Sequence, residues 1–463
     1  AQALDGVVAV YTGADIAALA NPYQATSRMK NYQATFIPPL ALDKVRYVGE
    51  AVVAVVASSR YVAEDALARI EIEYEALPVL VDPEESLKPD APKLHDDLES
   101  NILAAREFSR GEVDEAFAAA AQTAGGRFHF TRTTPVTIEA RASVAEYDKG
   151  ARSLTLHCTT QIPGIVRDKL SEIFDLPGPR IRVIAPDVGG GFGGKTSLYS
   201  EEIVACAIAR DLGKPVKWVS DRMEDLMTTG NAFDEIVDAE IAIAEDGKIL
   251  GVKADVIGDV GAYSIYPWTA TIEPVQVVSF LPGPYRIDNY AARVRAVATN
   301  KTLTGAYRGV GRPISVFVMD RLLDMAARKI GMDPAEIRRR NLVNDDEFPY
   351  KAASGLVWDK SAFQACLREA ADGIGYDDLR REQEAARAEG RWVGIGIACY
   401  AELTGVGSRI AVAPGMPINT GTYSAAGRAF LPRRPCMKKS CGSPGICWKP
   451  RKRISRPGTA MSG

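Results

Sequence analysis

The residues best suited to bind a ligand form the stretch DVGGGFGGKT at 187–196, here called the glycine loop. Five glycines surround Phe192, and because glycine lacks a Cβ the backbone can adopt positive φ and approach a ligand closely. Successive exposed backbone N–H groups in such a loop form a concave site for an anion. The glycine loop therefore predicts anion binding, without specifying which anion.

Two nucleotide-binding patterns also fit the glycine loop. The spacing from Gly189 to Lys195 and Thr196 satisfies the P-loop pattern, and the glycines satisfy the dinucleotide fingerprint. A P-loop needs a strand ending in an aspartate that holds magnesium, but the nearest candidate, Asp320, continues into a helical pattern. The fingerprint needs an acidic residue about 20 positions on, and the acids that follow come too early or somewhat late. A P-loop NTPase therefore remains a minor alternative.

A succession of strand, loop and helix positions the glycine loop. The sequence predicts a strand over 180–185 before it and a helix over 199–211 after it, which Gly213 and Pro215 end. The same domain is predicted to contain an alanine-rich helix capped by 109–112, strands near 127–147 and 153–160, a helix over 164–174, a hairpin around Asp246-Gly247 and a helix over 314–330.

A smaller α/β unit comes first in the chain. Thr12 and Asp15 have the spacing of a helix capping box. The apolar, β-branched run at 51–57 predicts a buried strand, and 63–69 has a helical pattern. Residues 70–81 alternate between apolar and polar types, which predicts a second strand with one buried face.

Changes in composition divide the chain into five parts. The first unit spans 1–82, a proline-rich acidic linker spans 83–104, and a larger α/β domain spans 105–345. Residues 346–422 resemble the start of a further domain, with strands and turns predicted over Gly394–Gly421. From 423 to 463 the chain has ten basic and no acidic residues, five prolines and no hydrophobic periodicity. We expect this basic tail to be frameshifted or disordered.

The overall composition restricts the class of protein. The chain of 463 residues is 46% hydrophobic and 25% charged, as is typical of globular proteins. No stretch approaches the roughly 18 apolar residues of a membrane span, and no secretory signal is visible, which predicts a cytoplasmic protein. Removing the ten basic tail charges from the net −3 leaves −13 for residues 1–422, which argues against nucleic-acid binding. The three histidines lack ligand spacing, so no histidine-built metal site is predicted.

Several motifs together resemble one enzyme family. VGGGFGGK at 188–195 and GAYRGVGRP at 305–313 resemble the molybdopterin-binding subunit of the xanthine dehydrogenase, aldehyde oxidase and carbon monoxide dehydrogenase family, the molybdenum hydroxylases. Residues 46–78 resemble its hammerhead domain, and the resemblance extends to about residue 422. It implies an α/β (α+β) fold with an N-terminal hammerhead domain, a first molybdopterin-binding domain and an incomplete second one. It also implies a truncated chain, and the first residues AQALDGVV, without an initiator Met, indicate an internal start.

The resemblance implies which residues hold the cofactor. In this family no side chain binds molybdenum directly, so the protein supplies the hydrogen bonds around it. Gln161 would donate its amide to a molybdenum oxygen, Arg308 would lie beside the metal, and the glycine loop would bring backbone N–H groups to the cofactor. The implied cofactor-binding residues are Gln161, Gly190, Gly191, Phe192, Gly193, Arg308 and Gly309. The cofactor would be molybdopterin with molybdenum, in the cytosine dinucleotide form.

Departures from family patterns restrict the substrate. Carbon monoxide dehydrogenases carry a copper-holding cysteine where this chain has Gly309, which argues against a molybdenum–copper site. Purine hydroxylases carry a glutamate, an arginine and a ring-stacking phenylalanine where this chain has Thr196, Gln276 and Val310. These three residues are the predicted substrate pocket, and an aldehyde or a small aromatic heterocycle is the expected substrate.

The resemblance also implies the reaction and the partners. Water would supply the oxygen, and a glutamate general base would remove its proton. That glutamate is expected beyond the matched region, Glu402 is not it by position, and no catalytic residue is assigned, so this chain alone is expected to be inactive. An iron–sulfur (2Fe-2S) subunit and an FAD subunit would accept the electrons, in a dimer of heterotrimers. The alternative from another class is a non-catalytic binding or assembly chain.

Overall fold

The computed structural model describes residues 1–402, which form thirteen strands and twelve α-helices. The strands are β1 (Val7–Thr12), β2 (Val53–Ala57), β3 (Ile102–Arg110), β4 (Gln122–Phe130), β5 (Ala142–Asp148), β6 (Ser153–Cys158), β7 (Ile181–Ile184), β8 (Val216–Val219), β9 (Glu235–Ile243), β10 (Ile249–Gly261), β11 (Asn289–Ala298), β12 (Tyr350–Lys351) and β13 (Val357–Trp358). The helices are α1 (Gly13–Ala17), α2 (Arg60–Leu67), α3 (Pro83–Ser86), α4 (Val113–Ala118), α5 (Pro163–Phe174), α6 (Ser200–Leu212), α7 (Arg222–Thr228), α8 (Ile272–Phe280), α9 (Arg312–Lys329), α10 (Pro334–Asn341), α11 (Phe363–Ile374) and α12 (Tyr376–Ala388).

Two mixed sheets carry most of the structure. One has five strands in the order β3-β11-β10-β9-β4, and the other has four in the order β7-β6-β5-β8. The pairs β10–β11 and β6–β7 are parallel, and the remaining neighbours in both sheets are antiparallel. Helices α8, α9 and α10 pack with the five-stranded sheet, whereas α5 and α6 pack with the four-stranded sheet. The observed mixture of helix and sheet confirms the predicted fold class.

Most predicted elements around the glycine loop are confirmed. Strand β7 precedes the loop, and α6 follows it and ends at Gly213, which adopts φ +64° as a left-handed C-cap requires. The hairpin between β9 and β10 turns at Gly247, which adopts φ +81°. Thr12 and Asp15 form the predicted capping box at the start of α1. Between β4 and β5 the region predicted as strands is interrupted by a loop over 131–141.

Three predictions of local structure are wrong. Residues 70–81 form no strand. Their alternating pattern is compatible with a strand that has one buried face, but a strand also needs a neighbouring strand with which to hydrogen-bond, and the pattern does not show whether one is present. Helix α4 exists, but its N-cap is Glu112, which makes no capping side-chain bond, and Ser109 belongs to β3. Residues 394–402 contain no strand, for lack of a partner within 1–402. The remaining strands predicted before residue 422, and the basic tail, lie outside the described residues.

Among residues 1–402, no helix is long and apolar enough to cross a membrane. In the same range, no group of three or more His, Cys, Asp or Glu side chains is arranged to hold a metal ion.

Candidate functional site

The fold brings the two sequence motifs into direct contact. The segment 305–311, here called the Tyr-Arg loop, lies against the glycine loop, and the backbone N–H of Arg308 donates to the carbonyl oxygen of Phe192 at 2.9 Å. A Cβ added at Gly193 would lie 2.3 Å from the carbonyl oxygen of Ala306 and 3.0 Å from the Cα of Tyr307. Only glycine permits this approach, so the two loops form one cradle.

The glycine loop has an uncommon backbone conformation. Gly190 and Gly193 adopt φ +102° and +104°, and Phe192 between them adopts φ +49°. A positive φ at a phenylalanine is unfavourable and must be held in place by its surroundings. The Phe192 side chain is half exposed, and the backbone N–H groups of Gly191 and Phe192 have no acceptor within residues 1–402. These two adjacent N–H groups are therefore candidates for binding a ligand.

Gln161 lies directly behind the glycine loop. Its backbone N–H donates to the carbonyl oxygen of Lys195 at 2.9 Å, and its side-chain oxygen accepts from the N–H of Gly193 at 3.1 Å. A Cβ on Gly191 would lie 2.3 Å from that side-chain oxygen. Gln161 therefore fixes the loop through its amide oxygen. The N–H of Gly193 is thereby already engaged, whereas those of Gly191 and Phe192 have no acceptor within residues 1–402.

An ion pair fixes both ends of the glycine loop. The Lys195 ammonium, which is buried, lies 2.7 Å from Oε2 of Glu139, and the same oxygen accepts from the N–H of Gly189 at 2.7 Å. Partial burial opposes the ionisation of Glu139, but these two hydrogen bonds outweigh it and lower its pKa. The lysine is thus directed at a carboxylate rather than at a phosphate site. Asp320, the magnesium candidate of the P-loop hypothesis, lies within α9 and pairs with Arg338 at 2.7 Å.

Two aromatic side chains hydrogen-bond to the glycine loop. The Tyr199 hydroxyl donates to the carbonyl oxygen of Gly194 and accepts from the N–H of Gly230 at 3.0 Å. The indole N–H of Trp268 lies 2.8 Å from both the carbonyl and the hydroxyl oxygen of Thr196. Thr196, predicted to line the substrate pocket, is buried, and its own hydroxyl donates to the carbonyl oxygen of Gly193. Its hydroxyl is therefore engaged in holding the loop.

The Tyr-Arg loop is also strained. Arg308 is exposed, Gly309 adopts φ +96°, and Val310 is fully buried at φ +53°. A β-branched residue rarely adopts a positive φ, so Val310 is a true outlier. A Cβ on Gly311 would lie 2.5 Å from the carbonyl oxygen of Glu273 in α8 and 3.0 Å from the Cβ of Gln276. Helix α8 therefore braces the end of this loop, next to Val310.

Helix α8 contributes buried polar atoms beside the cradle. Gln276 is 5% exposed, and its side-chain oxygen has no hydrogen-bond partner among the described residues. Glu273 and Glu235 are each 1% exposed, and each has one carboxyl oxygen without a partner in that part of the chain. Burial raises the pKa of Glu273 well above its ordinary value, and burial with the nearby Glu273 charge does the same for Glu235.

Several supporting residues are not apparent from the sequence. Glu139, Trp268 and Glu273 reach the two loops from distant parts of the chain, Tyr199 follows the glycine loop by three residues, and no local motif marks any of them. The only signal is that each is a polar or aromatic residue in an otherwise apolar or loop segment, which is common in any globular protein. Glu402, in contrast, lies 2.7 Å from Arg312 of α9 and forms an ion pair with it.

Comparison with protein families gives two matches. Residues 1–78 match the model described as "Aldehyde oxidase and xanthine dehydrogenase, a/b hammerhead domain". Residues 94–342 match the model described as "Molybdopterin cofactor-binding domain", and this range includes both loops of the cradle.

Individual relatives agree with these matches. The chain is 35% identical over 425 residues to the carbon monoxide dehydrogenase large chain of Hydrogenophaga pseudoflava, covering 88% of this chain and 52% of that one. It is 35% identical over 406 residues to the nicotine 6-hydroxylase large subunit of Paenarthrobacter nicotinovorans, covering 88% and 49%. The crystal structure of quinoline 2-oxidoreductase from Pseudomonas putida 86 matches with a TM-score of 0.86 at 36% identity, covering 90% and 53%. The chain thus spans about half the length of these relatives.

Proposed function

Because this chain belongs to the molybdopterin-binding large-subunit family of the molybdenum hydroxylases, we propose that it holds a molybdenum cofactor in the cradle of the two loops. We further propose that the complete enzyme hydroxylates an aldehyde or a small aromatic heterocycle with oxygen from water. The observation that carries the proposal is the direct contact between the glycine loop and the Tyr-Arg loop, through Arg308 and Phe192.

The residues of the cradle fit such a cofactor. Molybdopterin carries a phosphate, and the N–H groups of Gly191 and Phe192, which have no acceptor within residues 1–402, form the kind of site that suits an anion. Gly190 and Gly193 keep the backbone free of side chains at this position. The exposed Arg308 adds a positive charge beside them. We therefore assign cofactor binding to Gln161, Gly190, Gly191, Phe192, Gly193, Arg308 and Gly309.

When bound, the molybdenum cofactor supplies a two-electron redox centre that activates water for transfer of its oxygen. The chain's own residues orient the reactants. Gln161, whose side-chain oxygen is held by Gly193, would offer its amide nitrogen to the metal's oxygen ligands. Arg308 would stabilise negative charge in the cradle. Glu402 pairs with Arg312 and is not proposed as the general base.

Gly309 argues against carbon monoxide as the substrate. A cysteine here would place its Cβ about where the Pro313 ring lies, because a Cβ on Gly309 would be 2.6 Å from Cγ of Pro313. The positive φ of Gly309 further disfavours any side chain. A copper-binding thiolate at this position would therefore require a different backbone. For the organic substrates, Thr196, Gln276 and Val310 are proposed as pocket residues.

The proposed complex contains further subunits. Homologues named as a large chain and as subunit gamma of a complex support the presence of partner subunits, and we propose that these partners carry 2Fe-2S clusters and FAD. Residues 1–402 contain no cysteine cluster for an iron–sulfur centre, so we propose that electrons leave through such partners. We further propose that the complex is a dimer of heterotrimers, that the cofactor is in its cytosine dinucleotide form and that the protein is cytoplasmic.

The test is chemical analysis of the complex isolated from its own cells through a tag on this chain. We expect molybdenum and a fluorescent pterin near one per chain, release of cytidine monophosphate on acid hydrolysis, and co-purifying flavin and iron. A complex without molybdenum, or with bound nucleoside triphosphate instead, would contradict the proposal.

A further inference from the structure

We propose that Glu273 is a positioning residue that sets the conformation of the Tyr-Arg loop through the backbone of Phe233. Glu273 reaches this loop in two ways. Its side chain hydrogen-bonds to Phe233, which packs on Tyr307, and its main-chain carbonyl lies against Gly311. This inference rests on the proposed function, since it concerns how the cofactor cradle is held in shape.

The side-chain route begins with a single hydrogen bond. Oε2 of Glu273 accepts from the backbone N–H of Phe233 at 2.8 Å. Phe233 and the following Asp234 adopt φ +68° and +69°, two consecutive residues with side chains in the left-handed region. Such a pair is unfavourable and persists only where the surroundings fix it. The Glu273 carboxyl supplies one fixed point, on the N–H of the first strained residue.

The next step leads from Phe233 to the cradle. The Phe233 ring lies 5.9 Å from the ring of Tyr307, at an angle of 58° between the planes. Tyr307 directly precedes Arg308, whose N–H bonds to Phe192, and its Cα faces Gly193. The position of the Phe233 ring therefore limits where Tyr307, and with it Arg308, can lie.

The backbone next to the strained residues is hydrogen-bonded to the segment 303–305, where the Tyr-Arg loop begins. The N–H of Asn231 donates to the carbonyl oxygen of Leu303 at 2.9 Å, and the N–H of Gly305 donates to the carbonyl oxygen of Asn231 at 2.7 Å. Asp234 is anchored separately by ion pairs with Arg132 and Lys301. Residues 231–234 thus form a bridge between Glu273 and the start of the Tyr-Arg loop.

The main-chain route reaches the other end of the loop. The carbonyl oxygen of Glu273 would be 2.5 Å from a Cβ on Gly311, so the first turn of α8 and the loop are in van der Waals contact there. Glu273 consequently touches the Tyr-Arg loop near Gly311 and, through Phe233, near Tyr307. Arg308, Gly309 and Val310 lie between these two points. A change in the Glu273 side chain should shift all three.

The chain offers a matched control. Glu235 is as deeply buried as Glu273 and belongs to the same acidic pair, but within residues 1–402 its carboxyl makes no hydrogen bond to Phe233. Glu235→Ala removes an equally buried carboxyl without touching the route to Tyr307. Glu273→Gln keeps a side-chain oxygen that can accept from the Phe233 N–H, whereas Glu273→Ala removes it.

The experiment compares these three variants with the wild type in the isolated complex. Hydrogen exchange of peptides covering 229–234 and 305–311 is measured alongside molybdenum per chain. We expect Glu273→Ala to speed exchange in both segments at least tenfold, as loss of one buried hydrogen bond worth about 1.4 kcal/mol would, and to lower molybdenum content at least fivefold. Glu273→Gln should stay within twofold of wild type on both measures, and Glu235→Ala should leave 305–311 unchanged.

Three results would overturn the inference: unchanged exchange at 305–311 in Glu273→Ala, an equal effect of Glu235→Ala on that segment, or failure of glutamine to restore it. Exchange is also measured on preparations of the wild type and all variants freed of cofactor, so that this comparison does not depend on bound cofactor. A wild type that lacks molybdenum would therefore count against the proposed function, while its exchange pattern would still decide the role of Glu273.

Discussion

Replacing Gly193 with alanine should separate the two loops of the cradle. The added Cβ would lie 2.3 Å from the carbonyl oxygen of Ala306 and 2.7 Å from its carbonyl carbon, and both are backbone atoms that cannot rotate away. Since carbon and oxygen atoms in contact are normally more than 3 Å apart, the loops must move by about 1 Å. The residue would also be held at φ +104°, where L-amino acids are strained.

The magnitude follows from these two penalties. A residue in a sparsely populated backbone region costs about 1–3 kcal/mol, and overpacking a rigid contact costs about 1–3 kcal/mol more. We therefore expect Gly193→Ala to lower the free energy of unfolding by about 2–6 kcal/mol, or to relieve the strain by opening the cradle. Either result should reduce bound molybdenum and pterin to less than a tenth, roughly the effect of 1.4 kcal/mol or more in binding.

Urea denaturation and cofactor analysis of the same preparations measure both effects. Gly164→Ala is the control, because Gly164 is exposed in the first turn of α5, has nothing within 4 Å of an added Cβ and has no positive φ. Alanine there should be neutral or stabilise by up to about 1 kcal/mol. If Gly193→Ala matched wild type in both stability and molybdenum content, the close approach of the two loops would not be what forms the site.

Three further predictions concern neighbouring residues. Lys195→Ala should cost about 1–3 kcal/mol of folding free energy by leaving Glu139 without its partner, and calorimetry should detect no magnesium-dependent nucleotide binding before or after the change. Burial raises the pKa of Glu202 to about 7 from 4.5. The contribution of neutral Glu202 to the free energy of unfolding is therefore full below pH 4.5 and is lost as the pH rises through 7. Glu202→Gln, which stays neutral, should be more stable than wild type by up to roughly 2–3 kcal/mol at pH 8 and equally stable at pH 4, as measured by urea titrations. Gly309→Cys should destabilise the chain, because of its clash with Pro313, and should not yield a copper site by metal analysis of the purified complex.

Regular elements with local signals could be predicted from the sequence. Helix α6 has a buried apolar run and ends at Gly213, and the Asp246-Gly247 turn has the residue types that a hairpin requires. The prediction for 70–81 was wrong because strand formation depends on a partner elsewhere in the chain. A local pattern carries no information about whether such a partner exists.

The candidate site was likewise predictable from the sequence only in part. The glycine loop and the Tyr-Arg loop could be identified because their glycines are packed closely in sequence, and the resemblance to a family related one to the other. Their contact through Arg308 and Phe192, and the positive φ of Val310, are tertiary facts that only the fold reveals. Two residues that brace the cradle carry no such local signal. Glu139 lies 50 positions before Gly189, and Glu273 lies on α8, which belongs to neither loop.

The most direct test of cofactor binding in the cradle is a cryo-electron microscopy map of the complex isolated from its own cells. We expect density for a pterin cofactor in contact with the backbone of Gly191 and Phe192, beside Gln161 and Arg308. A cradle filled only by solvent, or a nucleotide whose phosphates contact Lys195, would contradict it.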